Sequence, residues 1–194
     1  MKFLLAWVLL MFALPSWAQL AVVGQRGEKV PSMKVADVVM KADESEAEFL
    51  QRTGIWLRNF TTSSGYEACS KVCRSPTGQM GFRISTSNSH VGCVVVDQNA
   101  CPDNMSPVGD SMHSHPVANQ VEMNANDRIL LMVRGNSMKK SQSRLFNNHH
   151  PDEFSKEDYA SGPGYLVTKS KIWYQNGMGT QKLVLELPPL EGEE

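Results

Sequence analysis

Apolar residues fall along the chain in blocks with two different spacings. Between Ala36 and Phe60, the residues Ala47, Leu50, Ile55, Leu57 and Phe60 recur at roughly helical intervals, interrupted by Gly54. That spacing predicts a helix over 36–60, with Asp43 or Ser45 as N-cap and Glu46 and Glu48 in its first turn. The segment before it, residues 19–35, contains Gly24, Gly27 and Pro31 and reads as irregular or paired. After the polar loop Thr61–Gly65 the blocks shorten. Tyr66–Cys73, Gly81–Ser85 and Gly92–Val96 predict strands, the first two forming a hairpin through Ser75-Pro76-Thr77-Gly78. Asp97–Asp110, with Pro102, Pro107 and Gly109, predicts a long loop, and Ser111–His115 a short strand.

Residues 117–153 break the rhythm. Val117–Asn148 is polar at both ends around Ile129-Leu130-Leu131-Met132-Val133, and Ser137–Asn148 is rich in Lys, Ser, Arg and Asn. This stretch predicts an insertion carrying a short helix or strand, mobile in part. Phe154-Ser155-Lys156-Glu157-Asp158 then has the spacing of a capping box, with Asp in place of the usual Glu or Gln. Gly162-Pro163-Gly164 ends that helix. Tyr165–Thr168 and Lys171–Tyr174 predict a hairpin, Gln181–Leu187 a last strand, and residues 188–194 an acidic disordered tail.

The first residues belong to a different category. Met1-Lys2 is a short basic start, Phe3–Leu14 an apolar run, and Pro15-Ser16-Trp17-Ala18 a small-x-small cleavage site before Gln19. This predicts a Sec signal peptide over 1–18, because the run is shorter than the ~20 residues that span a bilayer. No Cys follows it at a lipoprotein position, so no stable membrane anchor is expected. The expected location is periplasmic or extracellular. The mature chain, 19–194, has a length that supports one domain with its own core, over 19–187. Without Lys2 it carries 19 − 1 = 18 basic and 20 acidic side chains, too balanced for a nucleic-acid footprint. All four cysteines, Cys69, Cys73, Cys93 and Cys101, lie in the exported part, and an even count there reads as two disulfides. If Cys69 and Cys73 share one strand they are too far apart to bond each other and would reach the 93–101 region. If they lie on a turn, a Cys93–Cys101 closure stands open.

The chemistry centres on His113-Ser114-His115-Pro116. In a strand, residues two apart point to the same face, so both imidazoles project together, and Pro116 ends ladder pairing just beyond them. A bare His-x-His is a weak signal. A catalytic zinc needs three protein ligands and an open position, so a third ligand must come from elsewhere, with a general base nearby. His149-His150 reads as a solvated pair and His90 as a strand or turn residue.

Taken together, Glu67, His113-Ser114-His115-Pro116 and Ser155-Lys156-Glu157-Asp158 resemble the JAB/JAMM (MPN+) metallopeptidases. Their motif runs from an upstream Glu through His-Ser/Thr-His-Pro to Ser-x-x-Asp at a helix start. The order helix, Glu before a strand hairpin, His-Ser-His-Pro strand, Phe-Ser-x-x-Asp and Tyr-Leu-x-Thr hairpin is similar to a bacterial JAB-like branch, a domain of unknown function found in toxins and effectors. The matching order covers Glu46–Tyr174. The resemblance implies an α/β fold with a curved, mostly antiparallel sheet flanked by helices. It implies that His113, His115 and Asp158 bind Zn2+, that Glu67 is the general base, and that Ser155 stabilises the oxyanion of the tetrahedral intermediate. The departure from the family is the long insertion at 117–153, a lid or substrate-binding flap by this reading. It brings in a competitor for the third ligand, Asp127, preceded by Asn124. Asp158 is favoured because Phe154-Ser155 precedes it and Gly164-Tyr165-Leu166-Val167-Thr168 follows it.

The expected function is an exported zinc hydrolase of peptide or isopeptide bonds, acting on the cell wall or as a toxin or effector. Its expected partners are a peptide or protein substrate, peptidoglycan among them, and an immunity or inhibitor protein if it is a toxin. The rival reading is a catalytically inactive JAB-like scaffold for binding or assembly in the envelope.

Overall fold

The computed structural model describes residues 19–23, 26–135, 143–148 and 150–190. The expected signal peptide, the first half of the Ser137–Asn148 stretch, His149 and the end of the acidic tail lie outside them. Ten strands are present among the described residues: β1 (Gln19–Val23), β2 (Glu28–Val39), β3 (Ala68–Arg74), β4 (Met80–Thr86), β5 (Ser106–Ser114), β6 (Gln120–Glu122), β7 (Leu145–Asn147), β8 (Gly164–Val167), β9 (Lys171–Gln175) and β10 (Lys182–Glu186). Three helices accompany them: α1 (Glu46–Ser64), α2 (Ala125–Val133) and α3 (Lys156–Ala160). The chain is α/β. Eight strands form one mixed sheet in the order β1-β2-β4-β3-β5-β8-β9-β10, and β6 and β7 form a separate ribbon. Every pairing is antiparallel except β5 with β8. A parallel neighbour requires a crossover. Here the crossover is the long excursion from Pro116 to Pro163 that carries β6, α2, β7 and α3.

The helix predicted over 36–60 begins later, at Glu46. Val35, Val38 and Val39 are β-branched and continue β2 to Val39, which pairs with Gly81 of β4. Ser45, not Asp43, is the cap: its side chain accepts from Glu48 N, and the Glu48 carboxylate accepts from Ser45 N at 2.8 Å. The buried face of α1 is Phe49, Leu50, Thr53, Gly54, Leu57, Arg58 and Thr61, a regular stripe that includes polar residues. Gly54 sits inside it for a steric reason: a Cβ there would come within 2.4 Å of Ile172 Cδ1. The glycine lets the helix close onto β9. Phe49, Leu57, Phe82, Ile84, Met112 and Ile172 are fully buried in the main core between α1 and the sheet.

The strand predicted at 92–96 is absent. Val94 N is held by Ser87 Oγ at 3.0 Å, and Ser32 Oγ donates to Val94 O at 2.8 Å, so side chains replace a ladder. Val91, with Val94 and Val96 partly buried, joins a second apolar cluster with Ala21, Val30, Met123, Leu130 and Leu131. The loop predicted over 97–110 is shorter, because β5 starts at Ser106. Its register against β3 slips between Lys71 and Cys73, next to Pro107 and to Gly109, whose φ is 101°. The insertion does carry a short helix, α2, and a ribbon as well.

Both cysteines of β3 reach into the 93–101 region: Cys69 bonds Cys93 and Cys73 bonds Cys101, with Cα separations of 6.0 and 5.8 Å. The pairs are 24 and 28 residues apart in sequence. Closing loops of that length removes chain entropy from the unfolded state worth about 3 kcal/mol each. Replacing Cys73 and Cys101 together with Ser is expected to lower unfolding free energy by about that amount, read from urea denaturation with the slope fitted separately for each protein.

Candidate metal centre

Strand alternation assembles the site. Cys69 pairs with His113 in the antiparallel β3–β5 register, which puts Glu67, just before β3, opposite His115. Glu67, Cys69, His113 and His115 therefore share one face. The residue between the histidines points the other way: Ser114 Oγ is buried against Thr61 Oγ1 of α1 and accepts from Ala68 N at 3.3 Å. β8 supports β5 from its other side, and His115 N donates to Val167 O at 3.3 Å before Pro116 ends the ladder.

The third group comes from α3. Its capping box is formed, with Ser155 Oγ accepting from Asp158 N at 3.1 Å. Asp158 Oδ2 in turn accepts from Ser155 N at 2.7 Å and from Ser155 Oγ at 2.8 Å. The local cap thus fixes the carboxylate and aims it at the histidines. Asp158 Oδ1 lies 3.3 Å from His113 Nε2, Oδ2 lies 3.4 Å from His115 Nε2, and the two Nε2 atoms are 3.2 Å apart. A tetrahedral zinc with bonds of about 2.0–2.1 Å holds its ligand atoms about 3.3–3.4 Å apart. The spacing and the donor set of two imidazoles and a carboxylate fit a zinc-like divalent ion. His113, His115 and Asp158 are the group among the described residues that could hold a metal, and their geometry does not identify which metal. The three side chains are 11–17% exposed, sheltered but reachable from the cleft. Phe154 flanks the site, its ring centroid 6.2 Å from that of His113.

The competitor Asp127 is engaged elsewhere. It is fully buried and accepts from Ser89 Oγ at 2.6 Å, His90 N at 2.7 Å, His90 Nδ1 at 2.8 Å and Asn124 N at 2.8 Å. It caps α2 and stitches the insertion to the 87–90 loop, helped by Asn124 and Asn126, which donate to Asn88 O and Ser87 O.

Electrostatics separate the two acids of the site. Glu67 is buried, and burial is the main cause that raises its carboxyl to about 7, with Asp158 and Asp127 adding to it against the opposing pull of His115 and Arg134. Burial also acts to raise Asp158, but the charges and hydrogen bonds of His113 and His115 outweigh it and hold Asp158 far below the carboxylate range. Ser155 borders the cleft, yet its hydroxyl hydrogen is directed at Asp158.

Two residues of the cleft carried no signal in the sequence. His90, read as a strand or turn residue, is oriented by Asp127 and packs on Tyr66 at 4.8 Å. Arg134, at the end of α2, reaches over Gly92 and donates to Val91 O. His150 is exposed and lines the outer part of the cleft. Comparison with protein families, with curated proteins and with solved structures finds no match for this chain.

A carboxyl raised in the folded state costs nothing below its ordinary value of 4.5 and disfavours folding as the pH climbs through about 7. In chelator, the wild-type chain is therefore expected to lose on the order of 3 kcal/mol between pH 4.5 and 8 through this group. Glu67→Gln removes that component, so the difference between the two stability–pH curves, measured by urea denaturation, should grow with pH in favour of the variant.

Proposed function

We propose that this chain is an exported, metal-dependent hydrolase of peptide or isopeptide amide bonds, with His113, His115 and Asp158 as ligands of a zinc ion. The observation that carries the reading is the triangle of ligand atoms at 3.2–3.4 Å, with a buried carboxyl of raised pKa opposite it. A zinc ion held there supplies Lewis acidity toward a carbonyl oxygen and toward water. Glu67 takes a proton as the water oxygen adds to the acyl carbon, and returns one to the amine nitrogen as the C–N bond breaks. A carboxyl near 7 is suited to both transfers at neutral pH. Ser155 N–H and Oγ hold Asp158 in orientation, the supporting role that outer groups play in metal sites. The hydroxyl that the family resemblance assigns to the oxyanion becomes available to substrate once it turns from Asp158. The two disulfides suit an oxidising compartment, and none of the helices formed by the described residues is long and apolar enough to cross a membrane. Cross-linked peptides of a cell wall are the amide substrate most available there, and a translocated effector acting on host isopeptide bonds is the variant of the same chemistry.

Elemental analysis of the mature protein is expected to give one zinc per chain, lost in His113→Ala and in Asp158→Asn. Digests of purified peptidoglycan and of isopeptide-linked peptides, read by mass spectrometry, should show new amine and carboxyl ends with the wild type. Glu67→Gln should keep the zinc and lower turnover by about 10²–10⁴. A zinc-free protein whose stability is indifferent to chelator would overturn the proposal.

A further inference from the structure

We propose that the cleft holds a carboxylate-binding subsite formed by Arg134 and Lys71, so that the substrate is an amide flanked by a carboxylate. Only the position of the scissile bond rests on the hydrolase reading; the subsite stands on other residues.

The cleft divides into two cavities of about 310 and 250 Å3. Glu67, Arg134, Phe154 and Asp158 border both, so they mark the neck between them. His115 belongs to the larger cavity and His113 to the smaller. A chain lying in the cleft passes the ligand triad at the neck, with one flank in each cavity.

The two cavities differ in charge. The larger carries Glu153 and Glu157 beside His90 and His150. The smaller carries Lys71, and Arg134 at the neck borders both; neither is in an ion pair among the described residues. Three acids also border the smaller cavity. Glu67 is buried at the neck. Asp158 is engaged with the histidines and Ser155, and Asp97 is an exposed residue at the rim. Among the described residues neither cation lies within ion-pair distance of these acids, so both can pair with a carboxylate brought in by a ligand.

Arg134 is set in place before anything binds. Its Nη1 donates to Val91 O, and its guanidinium lies so close over Gly92 that a Cβ there would come within 2.2 Å of Nη2. The Nε and Nη2 hydrogens make no hydrogen bond among the described residues, and that edge matches a carboxylate with two parallel bonds. The hydrogen bond and the packing restrain a side chain that is otherwise exposed, which reduces the rotamer entropy lost on binding. The carboxylate is either an acidic side chain or the α-carboxylate of a chain end next to the amide.

Both sources are tested by NMR titration of the isotope-labelled mature chain carrying Glu67→Gln, with and without zinc, so that no turnover is needed. The probes are two pairs of acetylated alanine tetrapeptides. One pair has Glu or Gln at the third position with an amidated end, and the other has a free or amidated C-terminus. The acid member of at least one pair should bind about tenfold more tightly than its amide, with shifts at Lys71, Cys93 and Arg134. The pair that shows the preference identifies the source. Arg134→Gln and Lys71→Gln should each reduce the preference, and Gly92→Ala should do so by displacing the guanidinium while keeping its charge. Equal binding of acid and amide in both pairs, or a preference unchanged in all three variants, overturns the subsite. Zinc content and hydrolysis are read separately, so failure here and failure of the hydrolase reading are distinguishable.

Discussion

Two imidazole nitrogens 3.2 Å apart, each with a carboxylate oxygen within 3.4 Å, form an arrangement that depends on shared positive charge. Neutral imidazoles at that distance offer one proton between two lone pairs, and the carboxylate adds more acceptors. A divalent ion among the three groups resolves the conflict with the spacing of a tetrahedral site. The nearby structure is organised to hold this arrangement. β5 places both rings on one face, β8 braces the strand, and the α3 cap orients Asp158 through two donors from Ser155. Glu67 completes the face from the start of β3, where burial keeps its proton more tightly than an exposed glutamate would.

The period of two in the central strands divides the labour between the faces of the sheet. Ser114 and Met112 turn toward α1 and its core, while His113 and His115 turn toward the cleft. Cys69 shares the cleft face, and its bond to Cys93 draws the 89–96 segment across that side of the sheet. Once there, Val91 and its neighbours pack against α2, and Asp127 ties the helix to Ser89 and His90. The stretch expected to be a lid or substrate-binding flap lines one wall of the cleft where it is described. Its placement costs a buried carboxylate, offset by four hydrogen-bond donors.

The two candidate third ligands show where local information ends. Asn124-x-x-Asp127 and Ser155-x-x-Asp158 are the same signal, a polar N-cap answered by an acid three residues on, and both capping boxes form. Nothing within either tetrapeptide says which carboxylate faces the histidines. The difference lies in what each helix packs on. α2 docks on the 87–90 loop, which consumes Asp127, whereas α3 precedes β8, which is bonded directly to β5 and so carries Asp158 to the imidazoles.

Several features were legible in the residues themselves because their causes are local. The His-x-His geometry follows from strand period, the end of β5 from Pro116, the cap at Ser155 from side-chain chemistry, which at α1 left Asp43 and Ser45 both open, and the β3–β4 hairpin from its turn. The pairing of Cys69 and Cys73 with the 93–101 region followed from the reach of a disulfide on the condition that both lay on one strand, while the choice between Cys93 and Cys101 did not. What the tertiary structure alone decided is long-range. It set β2 running through Val39 because β4 lay alongside to pair with it, and it left Gly92–Val96 irregular because Ser87 and Ser32 supplied the partners of Val94. It also brought Asp158, already favoured over Asp127 by the residues around it, to the histidines, and laid Arg134 over Gly92. These outcomes depend on which surfaces meet after the chain has closed on itself, and contacts between residues dozens of positions apart leave no mark in the spacing of either partner.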